Sequence, residues 1–89
     1  MAPVEVYTTP SCPYCVRAKR LLTERGIAFE EIDVAEDDEL REDLIRRTGR
    51  RTVPQIFIAG QAIGGYEELA VLDASGELAT LVGSANAAG

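Results

Sequence analysis

Two cysteines separated by two residues, Cys12-Pro13-Tyr14-Cys15, stand where strand-like sequence gives way to helix-like sequence, and they are the only cysteines of the chain. Val4-Glu5-Val6-Tyr7 alternates apolar and polar residues and is rich in strand formers. Thr8-Thr9-Pro10-Ser11 follows as a loop. From Pro13 to Arg25, Cys15, Ala18, Leu21 and Leu22 recur at helical spacing; Pro13 suits a first helical position and Gly26 the residue just past the end. Cys12 is thereby expected at the mouth of a helix. A bridge from Cys12 to Cys15 closes a trivial loop and constrains the unfolded chain little. Reactivity therefore explains the pair better than stability, or than two inert thiols acting as small hydrophobes.

The remaining punctuation extends the pattern. Ile27 to Val34 has strand character through Phe29, Ile32 and Val34, so a strand–helix–strand unit with parallel strands and a right-handed crossover is expected. A second helix should carry Glu36, Asp37 and Asp38 in its first turn, bury Leu40, Leu44 and Ile45, and carry Arg46 and Arg47 in its last turn before Gly49, acid first and base last as the helix dipole favours. Gln55-Ile56-Phe57-Ile58 and Gln61-Ala62-Ile63 flank Ala59-Gly60 as a hairpin, and Gly64-Gly65 marks a tight turn or a close approach. A third helix opens near Tyr66, buries Leu69 and Leu72 and breaks around Gly76; Leu78, Leu81 and Val82 suggest one more short turn. The order βαβ, α, ββα predicts an α/β fold, a four-stranded mixed sheet flanked by helices. One domain over residues 1–82 and a flexible tail over 83–89 are expected.

Charge narrows the partners. Fifteen acidic against nine basic residues give −6, which disfavours general attraction to nucleic acid or anionic lipid. All nine basic residues lie between Arg17 and Arg51, and four crowd into Arg46-Arg47-Thr48-Gly49-Arg50-Arg51, read either as a local positive patch or as a solvated helix end. With no leader-like start and no long apolar run, a cytoplasmic monomer without membrane contact is the expectation.

The thiolate, not the thiol, attacks a disulfide, and a helix amino terminus favours a negative sulfur through its unpaired N–H groups. Cys12 is thus assigned as nucleophile and Cys15, one turn further in, as resolving thiol. Pro13 stiffens the turn between them, and Tyr14 is either an aromatic wall beside the sulfur or a merely exposed ring. Thr52-Val53-Pro54 precedes a strand, where proline is tolerated only at an edge or a start. Were the Val53–Pro54 bond cis, the Val53 backbone would be free to pair with an extended, peptide-like substrate.

Tyr7-Thr8, Cys12-Pro13-Tyr14-Cys15, Thr52 through Ile58, Ile63-Gly64-Gly65 and Glu67-Glu68-Leu69 together resemble the dithiol glutaredoxins over nearly the whole chain. The resemblance implies a thioredoxin-like fold and a glutathione-dependent disulfide oxidoreductase. Glutathione is then a cosubstrate, no cofactor is permanently bound, and glutathionylated or disulfide-containing proteins are the partners. It implies a cis Pro54 beside Cys12, with Thr52 and Val53 along the cysteinyl part of glutathione and Arg41 toward the glycine carboxylate. Backbone N–H groups of Gly65, Tyr66 and Glu67 would meet the γ-glutamyl carboxylate. Glu67 or Glu68 would accept from its ammonium; the family usually has aspartate there. Many relatives carry lysine three residues before the nucleophile. This chain has Thr9, so the positive field at Cys12 falls to the helix and to Arg17 or the arginine cluster.

Three other readings compete. A thioredoxin shares fold and nucleophile, but no tryptophan precedes Cys12, and Gly64-Gly65 leans toward glutathione. Cluster or zinc binding is opposed by the absence of histidine, by having only two cysteines, and by Pro13. A cysteine hydrolase lacks its histidine base.

Overall fold

The first strand-like stretch becomes β1 (Val4–Thr8) and the Cys12 segment opens α1 (Pro13–Glu24). They are followed by β2 (Glu30–Asp33), α2 (Asp38–Thr48), β3 (Gln55–Ile58), β4 (Gln61–Gly64), α3 (Tyr66–Ser75) and α4 (Glu77–Ala88). The structure is a computed structural model; it describes residues 2–88, with side chains through residue 83. The sheet order is β2-β1-β3-β4. β1 runs parallel to β2, with Tyr7 opposite Ile32, and antiparallel to β3, with Val6 opposite Ile56. β3 and β4 form the expected hairpin.

Because side chains alternate along a strand, the sheet sorts its apolar residues onto two faces. Val4, Val6, Ile56 and Ile58 meet Ala18 and Leu22 of α1, Leu69 of α3, and Leu78 and Val82 of α4. On the opposite face Tyr7 and Phe57 pack with Val34 and Leu44. Their rings stand edge to face at 5.4 Å, and the Arg47 guanidinium covers Phe57 at 4.2 Å. The central strand β3 is buried along its whole length, which is why Gln55-Ile56-Phe57-Ile58 lacks the alternation of β1.

Three expectations shift. β2 begins at Glu30 instead of Ile27, because the Ile27 N–H still closes the end of α1 by donating to Leu22 O at 2.9 Å. α2 starts after Asp37, whose side chain caps Leu40 N at 3.0 Å; this leaves Glu36 outside the helix, and of the expected stripe only Leu44 is fully buried. The single turn expected after Gly76 is the full helix α4, anchored by Leu78 and Val82 one turn apart in the core. The tail expected over 83–89 lies, from residue 84, outside the side chains described. No helix among the described residues is long and apolar enough to cross a membrane.

Leu69 is fully buried, whereas Val71 on the same helix is 67% exposed. Leu69→Ala should lower unfolding free energy by about 2–5 kcal/mol, and Val71→Ala by less than about 0.5 kcal/mol. Urea denaturation followed by circular dichroism compares the two, and equal losses would contradict this packing.

Candidate active site

The start of α1 is capped by sulfur. Cys12 is the N-cap residue, with extended backbone (φ −100, ψ 110), and its Sγ accepts the Cys15 N–H at 3.1 Å. Pro13 occupies the first helical position, where a missing N–H costs nothing. The Cys12 thiol donates to the Val53 carbonyl at 3.4 Å, which joins the helix mouth to a segment 41 residues away. Cys12 is partly exposed; Cys15 is 1% exposed behind it. Burial, first of all, and then the hydrogen bond with Cys12 push the Cys15 thiol up to about 12. The accessible sulfur therefore receives a backbone N–H, while the inner one keeps its proton. Two of the effects that hold that proton, the hydrogen bond and the charge of Cys12, disappear once Cys12 is tied up in a disulfide.

Opposite Cys12 the Val53–Pro54 peptide is cis, and Gln55 secures the segment by donating from Nε2 to the Thr52 carbonyl at 2.9 Å. The next wall is the start of α3, and two glycines let it approach. Gly64 has φ +110, and a Cβ there would land on the Glu68 carboxylate; a Cβ on Gly65 would sit 3.2 Å from the Pro54 carbonyl oxygen. Gly65 is the N-cap of α3 and offers no side-chain cap, so first-turn N–H groups stay available to an anion.

These walls enclose an open groove of about 360 Å³ that brings together Tyr14, Thr52, Val53, Pro54, Gly65, Tyr66, Glu67 and Glu68. Tyr14 is half exposed. Its ring lies 6.2 Å from that of Tyr66 and beneath the Arg17 guanidinium at 5.3 Å, an arrangement that favours the aromatic-wall reading. Arg41 is not in this groove; it lines a neighbouring depression with Arg50, Arg51 and Val53. The two glutamates differ in kind. Glu68 Oε1 accepts the Gly65 N–H at 2.6 Å and Arg50 Nη1 at 2.7 Å. Arg50, then the backbone N–H, hold its carboxyl below the usual range. Glu67 is exposed.

Sequence reasoning missed Arg50 as a groove residue and Gln55 as the support of Thr52. Arg50 was visible only as one of four clustered arginines, and which of them turns toward α3 is a matter of packing. Thr9 supplies no charge. Lys19, the cation nearest in sequence after Arg17, is engaged by Glu31 at 2.9 Å, while the α1 amino terminus directs the Cys15 N–H at the Cys12 sulfur. Among the described residues no cluster of three or more histidine, cysteine, aspartate or glutamate side chains could hold a metal ion.

A family model described as Glutaredoxin matches residues 4–63. The chain is 51% identical over 82 residues to Glutaredoxin 3 of Escherichia coli K12, covering 92% of this chain and 99% of that protein. It is 46% identical to a glutaredoxin of Pseudomonas aeruginosa, covering 92% and 98%. Among solved structures, a buckwheat glutaredoxin–glutathione complex superposes with TM-score 0.87 at 29% identity, over 93% of this chain and 78% of the other. The solution structure of a Brucella melitensis glutaredoxin gives 0.84 at 46% identity, over 92% and 89%. The α/β fold is thus the thioredoxin-like one.

A thiol that ionises at about 12 when folded, against an ordinary 9.0, is favoured by folding only in its neutral form. The unfolded chain loses this proton first as pH rises, so the contribution is complete below 9.0 and declines from 9.0 to about 12. Denaturation midpoints should fall across that window more steeply for the native protein than for Cys15→Ala. Parallel slopes would show that burial does not hold the proton.

Proposed function

This chain belongs to the glutaredoxin family and is a glutathione-dependent thiol–disulfide oxidoreductase, in which we propose that Cys12 is the nucleophile and Cys15 the resolving thiol. One observation carries the assignment. The sulfur of Cys12 is the partly exposed one, receives a backbone N–H at 3.1 Å and faces the groove wall at Val53, whereas Cys15 is sealed behind it.

The Cys12 thiolate attacks the glutathione sulfur of a protein–glutathione mixed disulfide. A Cys12–glutathione bond forms, the old S–S bond breaks, and the protein sulfur leaves with the electron pair and takes a proton. A second glutathione, as thiolate, attacks the bound glutathione sulfur; glutathione disulfide departs and the Cys12 thiolate returns. With a protein disulfide, Cys12 first forms a mixed disulfide with one protein sulfur. Cys15 then loses its proton and attacks the Cys12 sulfur, which releases the reduced protein and leaves a Cys12–Cys15 bond for two glutathione molecules to reduce.

The groove suits the tripeptide part by part. Val53 backbone groups pair with the cysteinyl unit beside Cys12, Thr52 and Pro54 floor the groove, and Tyr14 and Tyr66 wall it. The γ-glutamyl carboxylate takes the N–H groups of Tyr66 and Glu67 at the start of α3; Gly65, the third residue assigned there by resemblance, already donates its own to Glu68. Glu67 or Glu68 faces the ammonium. Arg41, across Val53, attracts the glycine carboxylate by charge at longer range. We place the protein in the cytoplasm as a monomer, with residues 1–82 as the glutaredoxin domain and 83–89, which carry the end of α4, as its tail, no permanently bound cofactor, and no nucleic-acid or membrane partner. Its charge of −6 supports the last of these.

Cys15→Ser should retain removal of glutathione from a glutathionylated protein, and Cys12→Ser should lose it to background. Substantial turnover by Cys12→Ser would reverse the roles. A second expectation concerns the electron donor: NADPH oxidation should couple through glutathione and glutathione reductase, with thioredoxin reductase giving no comparable rate.

A further inference from the structure

The groove beside Cys12 contains a cation of its own. Arg50 Nη1 meets Glu68 Oε1 at 2.7 Å, with the two side chains 47% and 40% exposed. Neither partner is placed loosely. The Glu68 oxygen is held by the Gly65 N–H at the start of its own helix. Arg50 follows Gly49, which ends α2 at φ +71, and its backbone N–H donates to Thr48 Oγ1 at 3.0 Å while Thr48 donates to the Leu44 carbonyl at 2.8 Å. The end of α2 thus presents a guanidinium to the start of α3 across the groove.

A carboxylate already paired with an internal guanidinium has less to offer a second cation. Given the reading of the groove as a glutathione site, we propose that Arg50 is an internal counter-cation to Glu68, and that it sets how strongly the groove discriminates ligands by their α-ammonium group. In the empty groove Arg50 neutralises Glu68. When a γ-glutamyl ammonium arrives, the two cations share one carboxylate, so the ammonium gains less than it would from Glu68 alone. The same pairing keeps the start of α3 from becoming net negative, which matters because the ligand carries a carboxylate beside that ammonium. Glu68, the fixed carboxylate, is the acceptor in this scheme, and Glu67 is a solvated neighbour.

The test uses two mixed disulfides of one reporter peptide. One carries glutathione. The other carries glutaryl-cysteinyl-glycine, which keeps both carboxylates and lacks only the ammonium. The readout is the ratio of KM for the analogue to KM for glutathione, in which any general effect of Arg50 on carboxylates cancels. Arg50→Gln should raise the ratio about two- to fivefold, the range expected for freeing a half-exposed carboxylate from an ion pair. Arg50→Lys should keep it near the native value, and Glu68→Gln should bring it to about one with or without Arg50→Gln. An unchanged ratio in Arg50→Gln, an equal rise in Arg50→Lys, or a ratio retained in Glu68→Gln would overturn the proposal. If the native protein turns over neither disulfide, the glutathione reading falls with it. Turnover of both with an invariant ratio removes only the role of Arg50.

Discussion

The first turn of a helix leaves N–H groups without intrahelical partners, and here one of them, that of Cys15, is given to the sulfur of Cys12. Oxygen is the ordinary cap at such a position. Putting sulfur there gives one contact two tasks: it ends the loop from β1, and it aims a backbone dipole at the atom proposed to carry negative charge in disulfide exchange. The surrounding sheet keeps this contact in place. β1 delivers the loop, α1 receives it, and the face bearing Val4, Val6, Ala18 and Leu22 fixes strand and helix together.

Around that centre the chain assembles a groove from segments far apart in sequence, each held by a short-range device. Gln55 ties the Thr52 carbonyl to the start of β3. Gly64 and Gly65 bring α3 against Pro54 because neither presents a Cβ. Thr48 fixes the backbone of Arg50 as α2 ends. The site is therefore set mainly by backbone geometry, with few polar side chains buried in support. That suits a reaction in which the protein contributes one sulfur, one spare sulfur and a surface for an extended peptide.

How much of this the amino-acid sequence revealed depended on the range of the interaction. Cys12 and Cys15 were legible because strand, loop and helix signals are local and the two residues fall at their junction. The hairpin was legible from Ala59-Gly60 for the same reason. Thr52-Val53-Pro54 and the Glu67-Glu68 pair were readable only through resemblance, since nothing local says that segments around positions 12, 53 and 66 converge. The Arg50–Glu68 pair spans 18 residues and the whole β3–β4 hairpin, and no spacing rule encodes it. Arg41 was assigned by resemblance to the glycine carboxylate, and the fold sets it in the depression on the far side of Val53, with α2. The length of α4 escaped because Leu78 and Val82 give too few apolar positions to distinguish one turn from three.

The burial of Cys15 also governs what damage the protein can suffer. A peroxide in solution meets only the outer sulfur, and the sulfenic acid formed there has a thiol three residues along the chain with which to condense, losing water and closing the internal bridge. That bridge is a state the proposed cycle already reopens. The sheltered thiol thereby diverts the outer one from the irreversible sulfinic and sulfonic acids, so the same layering proposed to order the exchange reaction also makes oxidative injury to it repairable.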